Sequence, residues 1–464
     1  MMARTTLEGQ VPIKPTRRDP PGPRGHFLFG VLREYAKEPA TYALWQAREF
    51  GEVSRARFGP NYLYFVNSPA GVKHILQDNQ RNYGRNQFAN DILKLFVGES
   101  LLTTEGDYWL RQRRLMQPMF HRQRIASFGR LMTEKTEEML GEWEQAAGEG
   151  RVLDVAEEMM RLTLKIMGLA LFSADLSDET SQFGQAVKVG RDYFDYRNGT
   201  LFPLPLWVPT RRNRSFRAGM ARTDAIVYDI IRERRRTGED AGDLLSMLME
   251  VRDEETREGM TDLQLRNEVM TMLMAGHDTT SNTLSWTFYL LSQHPQVVEK
   301  LRAELAQVLN GRAPDIDDLH SLPYTKMVIE EAMRLYPPAW VMGRQSIEAD
   351  EIGGYTIPAG ASLAFYPYVI HRHPDHWEEP ERFNPERFTP ERSQGRAKYA
   401  YFPFGGGPHL CIGNVFAMTE AQLILATVAQ RFNLALVPGH PIELEPLITL
   451  RPKHGLKMTL HPVR

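Results

Sequence analysis

The stretch 402-FPFGGGPHLCIGN-414 decides how this chain is read. It holds Cys411, the one cysteine among 464 residues, so an internal disulfide or a site of several cysteines is excluded. Gly405, Gly406 and Gly407 lead up to it, and Pro408 limits the last turn. A run without Cβ atoms lets a flat ligand come close to the backbone. The following run, VFAMTEAQLILATVAQRF, is apolar-periodic and predicts a helix to about Phe432. Cys411 therefore sits just before a helix start, where free N–H groups and the positive dipole end favour a thiolate over a thiol. A lone cysteine is commonly an inert small hydrophobe in a core. The glycine approach and the helix start set this one apart.

Working outward, the composition sets bounds. There are 56 basic and 58 acidic residues, a net charge of −2, so nothing suggests a nucleic-acid partner. Hydrophobic residues make up 42% with no low-complexity tract, as in a chain with a large core. The N-terminal segment lacks an apolar stretch of signal-peptide length, and the run Phe27 to Leu32 is broken by Gly30 and too short to span a bilayer. A soluble, cytoplasmic protein is expected. Residues 1–30, with Pro20, Pro21 and Pro23, form a stiff Pro-rich lead-in, and 31–464 form one domain.

The stretch VSRARFGPNYLYFVNSP predicts a β-hairpin around Gly59-Pro60, and helical periods dominate from Pro69 to about Gly311. Trp109 and Arg113 stand four apart and share a helix face. Pro203, Pro205 and Pro209 place a loop between two helices in the segment Leu201–Arg217, whose Phe202, Leu204, Leu206 and Trp207 precede Arg211, Arg212 and Arg214. That composition suits a lid, with membrane contact as the alternative. Thr261 and Gln264 form a capping box opening a helix of about 33 residues, roughly 50 Å, that stops near Pro295. Its middle, Ala275 to Ser281, puts Gly, Asp, Thr and Ser inside a buried helix, where glycine costs about 1 kcal/mol against alanine. One account is a kink; the other is space cleared for a ligand, with a hydroxyl beside a carboxylate to manage protons. Glu331 and Arg334, three apart and followed by Pro337-Pro338, form a spacing that is ordinary by itself.

The motif Phe404, Gly407, Cys411, Gly413 resembles the haem-binding loop of the cytochrome P-450 family, in which the cysteine thiolate is the axial iron ligand. His409 stands where many members carry Arg; both can bond a haem propionate. The resemblance implies that Trp109, Arg113 and Arg344 also reach propionates, and that Ala275 and Gly276 line an oxygen pocket. The string AGHDTT is similar to the family's oxygen-binding helix and puts the acid at Asp278 and the alcohol at Thr279, with His277 turned away. It also implies a structural charge network of Glu331, Arg334 and Arg387. A mainly α fold follows: one large α-rich domain with a small β region, and haem b between the long helix and the helix after the cysteine loop.

The implied activity is that of a haem-thiolate monooxygenase that inserts one atom of O2 into an apolar substrate, a fatty acid, terpenoid or steroid. The C-terminal two-thirds resembles the fatty-acid-hydroxylating branch. Electrons from NAD(P)H come through a ferredoxin with its reductase, or a flavoprotein reductase, docking near Arg111, Arg114, Arg122 and Arg124. Phe88, Phe96, Leu204, Trp340, Val341 and Met342 are the expected substrate-pocket residues. A peroxygenase or isomerase needing no electron partner, and a non-catalytic haem sensor, are the rival readings.

Overall fold

The computed structural model describes residues 18–463 apart from 178–184, 186–188, 191, 194, 195, 198, 199, 201–203, 239 and 254. The side chains of Phe88 and Ala89 also lie outside the description. Residues 1–17 of the lead-in are not described; from Arg18 on it is pinned to the β region. The Arg55 N–H donates to Pro21 O at 2.9 Å and the Thr356 N–H to Arg18 O at 3.0 Å.

The architecture is mainly helical around one long central helix, Asp262–Gln293. Its capping box forms as the sequence predicts: Thr261 Oγ1 accepts the Gln264 N–H, and Gln264 Oε1 accepts the Thr261 N–H at 2.9 Å. The helix is buried on nearly every side over most of its length, so it carries no clean polar face. Helices Val155–Phe172, Pro323–Leu335 and Asn414–Arg431 pack against it. The segment Ala275–Ser281 stays helical without a break, so the odd composition is not a break in the helix. Its hydroxyls bond back along the helix: Thr279 to Ala275 O at 2.8 Å, Thr280 to Gly276 O at 3.1 Å. Gly276 has a packing reason as well, since a Cβ there would lie 2.2 Å from the Met167 methyl of the neighbouring helix. Thr163 on that helix donates to the His277 carbonyl at 3.1 Å.

The β region sits to one side. The predicted hairpin pairs Val53–Phe58 with Asn61–Val66 and turns between Phe58 and Asn61. Ser362–Phe365 adds parallel to the second strand, followed by Met342–Ser346 and Tyr83–Arg85, both antiparallel. In the last pair, Arg85 stands directly opposite Arg344.

Helix Pro323–Leu335 carries the charge network. Arg334 donates to both Glu331 oxygens at 2.7 and 2.8 Å, and its remaining N–H groups go to the carbonyls of His371, Pro380 and Arg382. Arg387 Nε lies 3.3 Å from Glu331 Oε1. Both side chains of the central pair are 0% exposed. The network reaches the cysteine loop through His371. Burial, then Arg334 and Arg372, push its pKa well below the usual range, so the ring is neutral and Nε2 accepts the Phe402 N–H at 3.0 Å. Replacing such a buried pair whole can be neutral, but removing one partner strands a charge and costs about 3–5 kcal/mol. Glu331→Ala and Arg334→Ala should each lower the urea midpoint followed by far-UV circular dichroism; unchanged midpoints would show that the pair is dispensable.

Candidate active site

The cysteine loop is a tight return built by glycines. Gly405 and Gly407 take φ of 73° and 64°, a region that side chains avoid. A Cβ on Gly407 would also fall 1.8 Å from Leu76 O, so loop and neighbouring turn touch through bare backbone. The Cys411 N–H donates to Phe404 O at 3.0 Å, closing the loop, and helix Asn414–Arg431 begins three residues on. Above the cysteine lies a cavity of about 410 Å³. Cys411, Phe404 and Gly413 form its floor region, while Ala275, Gly276, Thr279 and Thr280 of the central helix line it from their side.

Cys411 opens onto this cavity yet is closely enclosed by protein. The helix start alone does not make it a thiolate. Burial pushes the thiol up, while the Gly413 N–H and then the Arg113 charge pull the other way. A bound cation is what would tip this balance.

At one edge the cavity gathers positive charge. Arg85, Arg113, Arg344 and His409 all line it, and none of the three arginines forms a salt bridge among the described residues. Burial drives the Arg85 pKa down to about 10 and lowers Arg344 and Arg113. His409 is pushed to about 3, by burial first and then by Arg85, Arg344 and Arg113, so it is neutral at pH 7. Its ring lies 4.1 Å from that of Trp109, and its buried Nδ1 has no hydrogen-bond partner. Like charges directly opposite in a sheet repel. Two facing arginines, a third beside them and an orphaned imidazole nitrogen therefore fit an anionic ligand edge. With a soft thiol facing a glycine-lined cavity, the residues present fit haem: sulfur for the iron, cations for the propionates. Sequence reading named Trp109, Arg113, Arg344 and His409 for this edge but missed Arg85, which only the register opposite Arg344 reveals.

Thr279 is on the cavity wall, but Asp278 is not. Its Oδ2 accepts the Thr449 hydroxyl at 2.6 Å, and Asn282 ties its backbone carbonyl to the same threonine. His277 is buried with Nδ1 at Leu273 O, away from the cavity wall, as expected.

The substrate-pocket expectation needs correcting. Met342 lines the cavity, whereas Phe96, Leu204, Trp340 and Val341 do not. Phe96 packs on Phe216 in the core, and Trp340 is 3% exposed and donates to Leu447 O. Val341 packs beside Trp340, and Leu204 faces outward with Trp207. Phe88 falls outside the described side chains, as do residues 201–203 of the lid segment. Leu101, Leu102, Thr271, Met272, Pro338 and Ala339 line the cavity instead. The basic surface also differs: Arg114 is held by Glu255 and Asp253, and Arg111 by Glu258. Arg122 and Arg124 are exposed without an ion pair among the described residues.

Comparison with known proteins agrees with the fold. The cytochrome P-450 family profile matches residues 20–459. The chain is 37% identical to cyclooctat-9-en-7-ol 5-monooxygenase of Streptomyces melanosporofaciens, covering 84% of each chain. It is 35% identical to cyclooctatin synthase of the same organism, over 95% of this chain and 94% of that one. Pentalenene oxygenase of Streptomyces avermitilis is 31% identical, over 88% and 90%. Among solved structures, the cytochrome P450DA heme domain superposes with a TM-score of 0.90 at 29% identity, covering 97% and 98%. The chain belongs to the cytochrome P-450 family. It is a monooxygenase of that family, and none of these three relatives is named for a fatty acid. Among the described residues no helix is long and apolar enough to cross a membrane.

One buried acid escaped the sequence reading. Glu420, on the helix after the cysteine, is 0% exposed, and neither oxygen has a well-placed partner, though the Thr280 hydroxyl is a neighbour. Burial raises its pKa from 4.5 to about 8. A raised carboxyl pKa leaves stability fully present below 4.5 and loses it as pH climbs to about 8, because only the unfolded chain ionises in that window. Glu420→Gln should therefore raise the thermal midpoint by roughly 2–5 °C near pH 8 and by much less near pH 5. An equal gain at both pH values would show that Glu420 is not held neutral.

Proposed function

We propose that this enzyme oxygenates a cyclic terpenoid hydrocarbon, with electrons delivered by a separate ferredoxin or flavoprotein. The observation that carries the substrate class is where charge lies in the cavity. Its cationic side chains gather around His409, where propionates would use them, and the wall around Met272, Ala275, Thr283, Pro338 and Ala339 has no charged side chain. A fatty-acid carboxylate would find no partner there, and desolvating it unpaired is expensive. The terpenoid names of the relatives above support the same choice.

When bound, haem b supplies the oxygen chemistry: O2, two electrons and two protons yield one inserted oxygen atom and one water. The chain's residues hold and feed that chemistry. Cys411 Sγ would hold the iron, its charge tempered by the Gly413 N–H and by Arg113. Arg85, Arg113, Arg344, Trp109 and His409 would bind the anionic edge of haem, and the small residues Ala275 and Gly276 leave room beside it. Thr279 lines the cavity with its O–H donated to Ala275 O. The hydroxyl must therefore rotate off that carbonyl to offer its proton to a bound ligand, its own oxygen then being free to accept a replacement. Asp278, held by Thr449, stores a proton acceptor one residue away and outside the apolar space. Arg122 and Arg124 offer an acidic electron donor the positive charge that Arg111 and Arg114 spend internally.

Four measurements test this reading. Thr279→Ala should oxidise NAD(P)H with little product, hydrogen peroxide making up the difference; coupling equal to the parent would leave this threonine as packing. In spectral titrations of the holoenzyme, a cyclic diterpene hydrocarbon should bind more tightly than palmitate, and the reverse order would overturn the terpenoid assignment. Arg122→Glu with Arg124→Glu should raise KM for a ferredoxin by about tenfold with little change in kcat. Product formed at full rate from peroxide alone would favour the peroxygenase reading.

A further inference from the structure

The central helix carries a second buried acid that the mechanism does not use. Glu268 is 0% exposed, and both its oxygens face the Leu101 N–H, at 2.9 and 3.1 Å. Its neighbour Asn267 donates to Glu99 O at 3.0 Å, and a Cβ on Gly98 (φ 64°) would lie 2.5 Å from the Asn267 side chain. Two successive helix residues thus clamp the loop 98–104. The loop's other ties run the opposite way: Arg85 donates to Leu101 O at 3.1 Å and Thr104 O at 3.2 Å, and Asn90 to Thr103 O at 2.8 Å. Leu101 and Leu102, at the centre of this loop, line the cavity.

We propose that Glu268 is a positioning residue that fixes the Leu101–Leu102 wall against the central helix and thereby sets how bulky a substrate the cavity accepts. An apolar side chain at 268 would strand a buried N–H, which costs about 1–3 kcal/mol and is relieved only if the loop moves. Burial also raises the Glu268 pKa to about 8, so the group is a neutral acid at pH 7 and glutamine is a close mimic of it.

The test uses the holoenzyme and two iron-binding probes, imidazole and the bulkier 4-phenylimidazole, titrated by the shift of the haem spectrum. It rests on the haem reading only through these probes, and imidazole giving no shift in the parent would overturn that reading alone. Hydrogen exchange of a peptide spanning residues 98–104, read by mass spectrometry, needs no probe. In Glu268→Leu the ratio of the two affinities should change by about tenfold, the imidazole value staying nearly constant, and the Leu101 amide should lose protection. Glu268→Gln, which keeps an acceptor for that amide, should match the parent in both. Should Glu268→Leu fail to fold, Glu268→Asp, too short to reach the amide, should show the same two changes. A parental affinity ratio and parental protection in the Leu or Asp variant would overturn the proposal. So would a glutamine variant as altered as the leucine one, or an unprotected 98–104 peptide in the parent.

Discussion

The buried contact between Glu331 and Arg334 is the constraint on which the site depends. Three residues apart on one helix, they form a pair worth little in water. Fully buried, the arginine must spend every donor, and it spends them on carbonyls of the segment around residues 371–382. That fixes His371, whose neutral ring accepts the first N–H of the cysteine loop. The position of Cys411 is thus inherited, through one imidazole, from a charge pair that itself never faces the cavity.

The opposite electrostatic logic governs the far edge of the cavity. There, positive groups are crowded together by sheet register instead of being neutralised. Arg85 and Arg344 tolerate each other because other forces hold the strands: the hydrophobic cluster beneath them includes Tyr83, Leu363 and Phe365. The repulsion between them would be relieved by an anionic group at this edge.

Local patterns made much of this readable in the sequence. The capping box, the Gly59-Pro60 hairpin, the cysteine loop and the Glu331–Arg334 spacing each lie within a few residues, where chain geometry alone places the partners. Arg85 was invisible because its meaning comes from pairing with a strand some 260 positions later. Glu268 and Glu420 read as ordinary helix acids, since nothing nearby announces that the positions are buried. The pocket residues were misjudged for a simpler reason: Phe96 and Trp340 are apolar, and an apolar side chain suits a core as well as a cavity wall. Arg111 and Arg114 looked like free surface charge because their acidic partners come from a segment about 140 residues on.

The glycine at 276 has a consequence for how such a protein diversifies. Met167 occupies the volume that a side chain at 276 would need, and both residues border the cavity. The two positions share a single void, so a methyl at 276 would have to displace the flexible end of Met167. A lineage that shortened the methionine would gain licence to put a methyl group on the helix, redrawing the cavity roof without touching Asp278 or Thr279. Adaptation to new molecules can therefore proceed by trading bulk across a helix crossing, a step that leaves the machinery on either side intact.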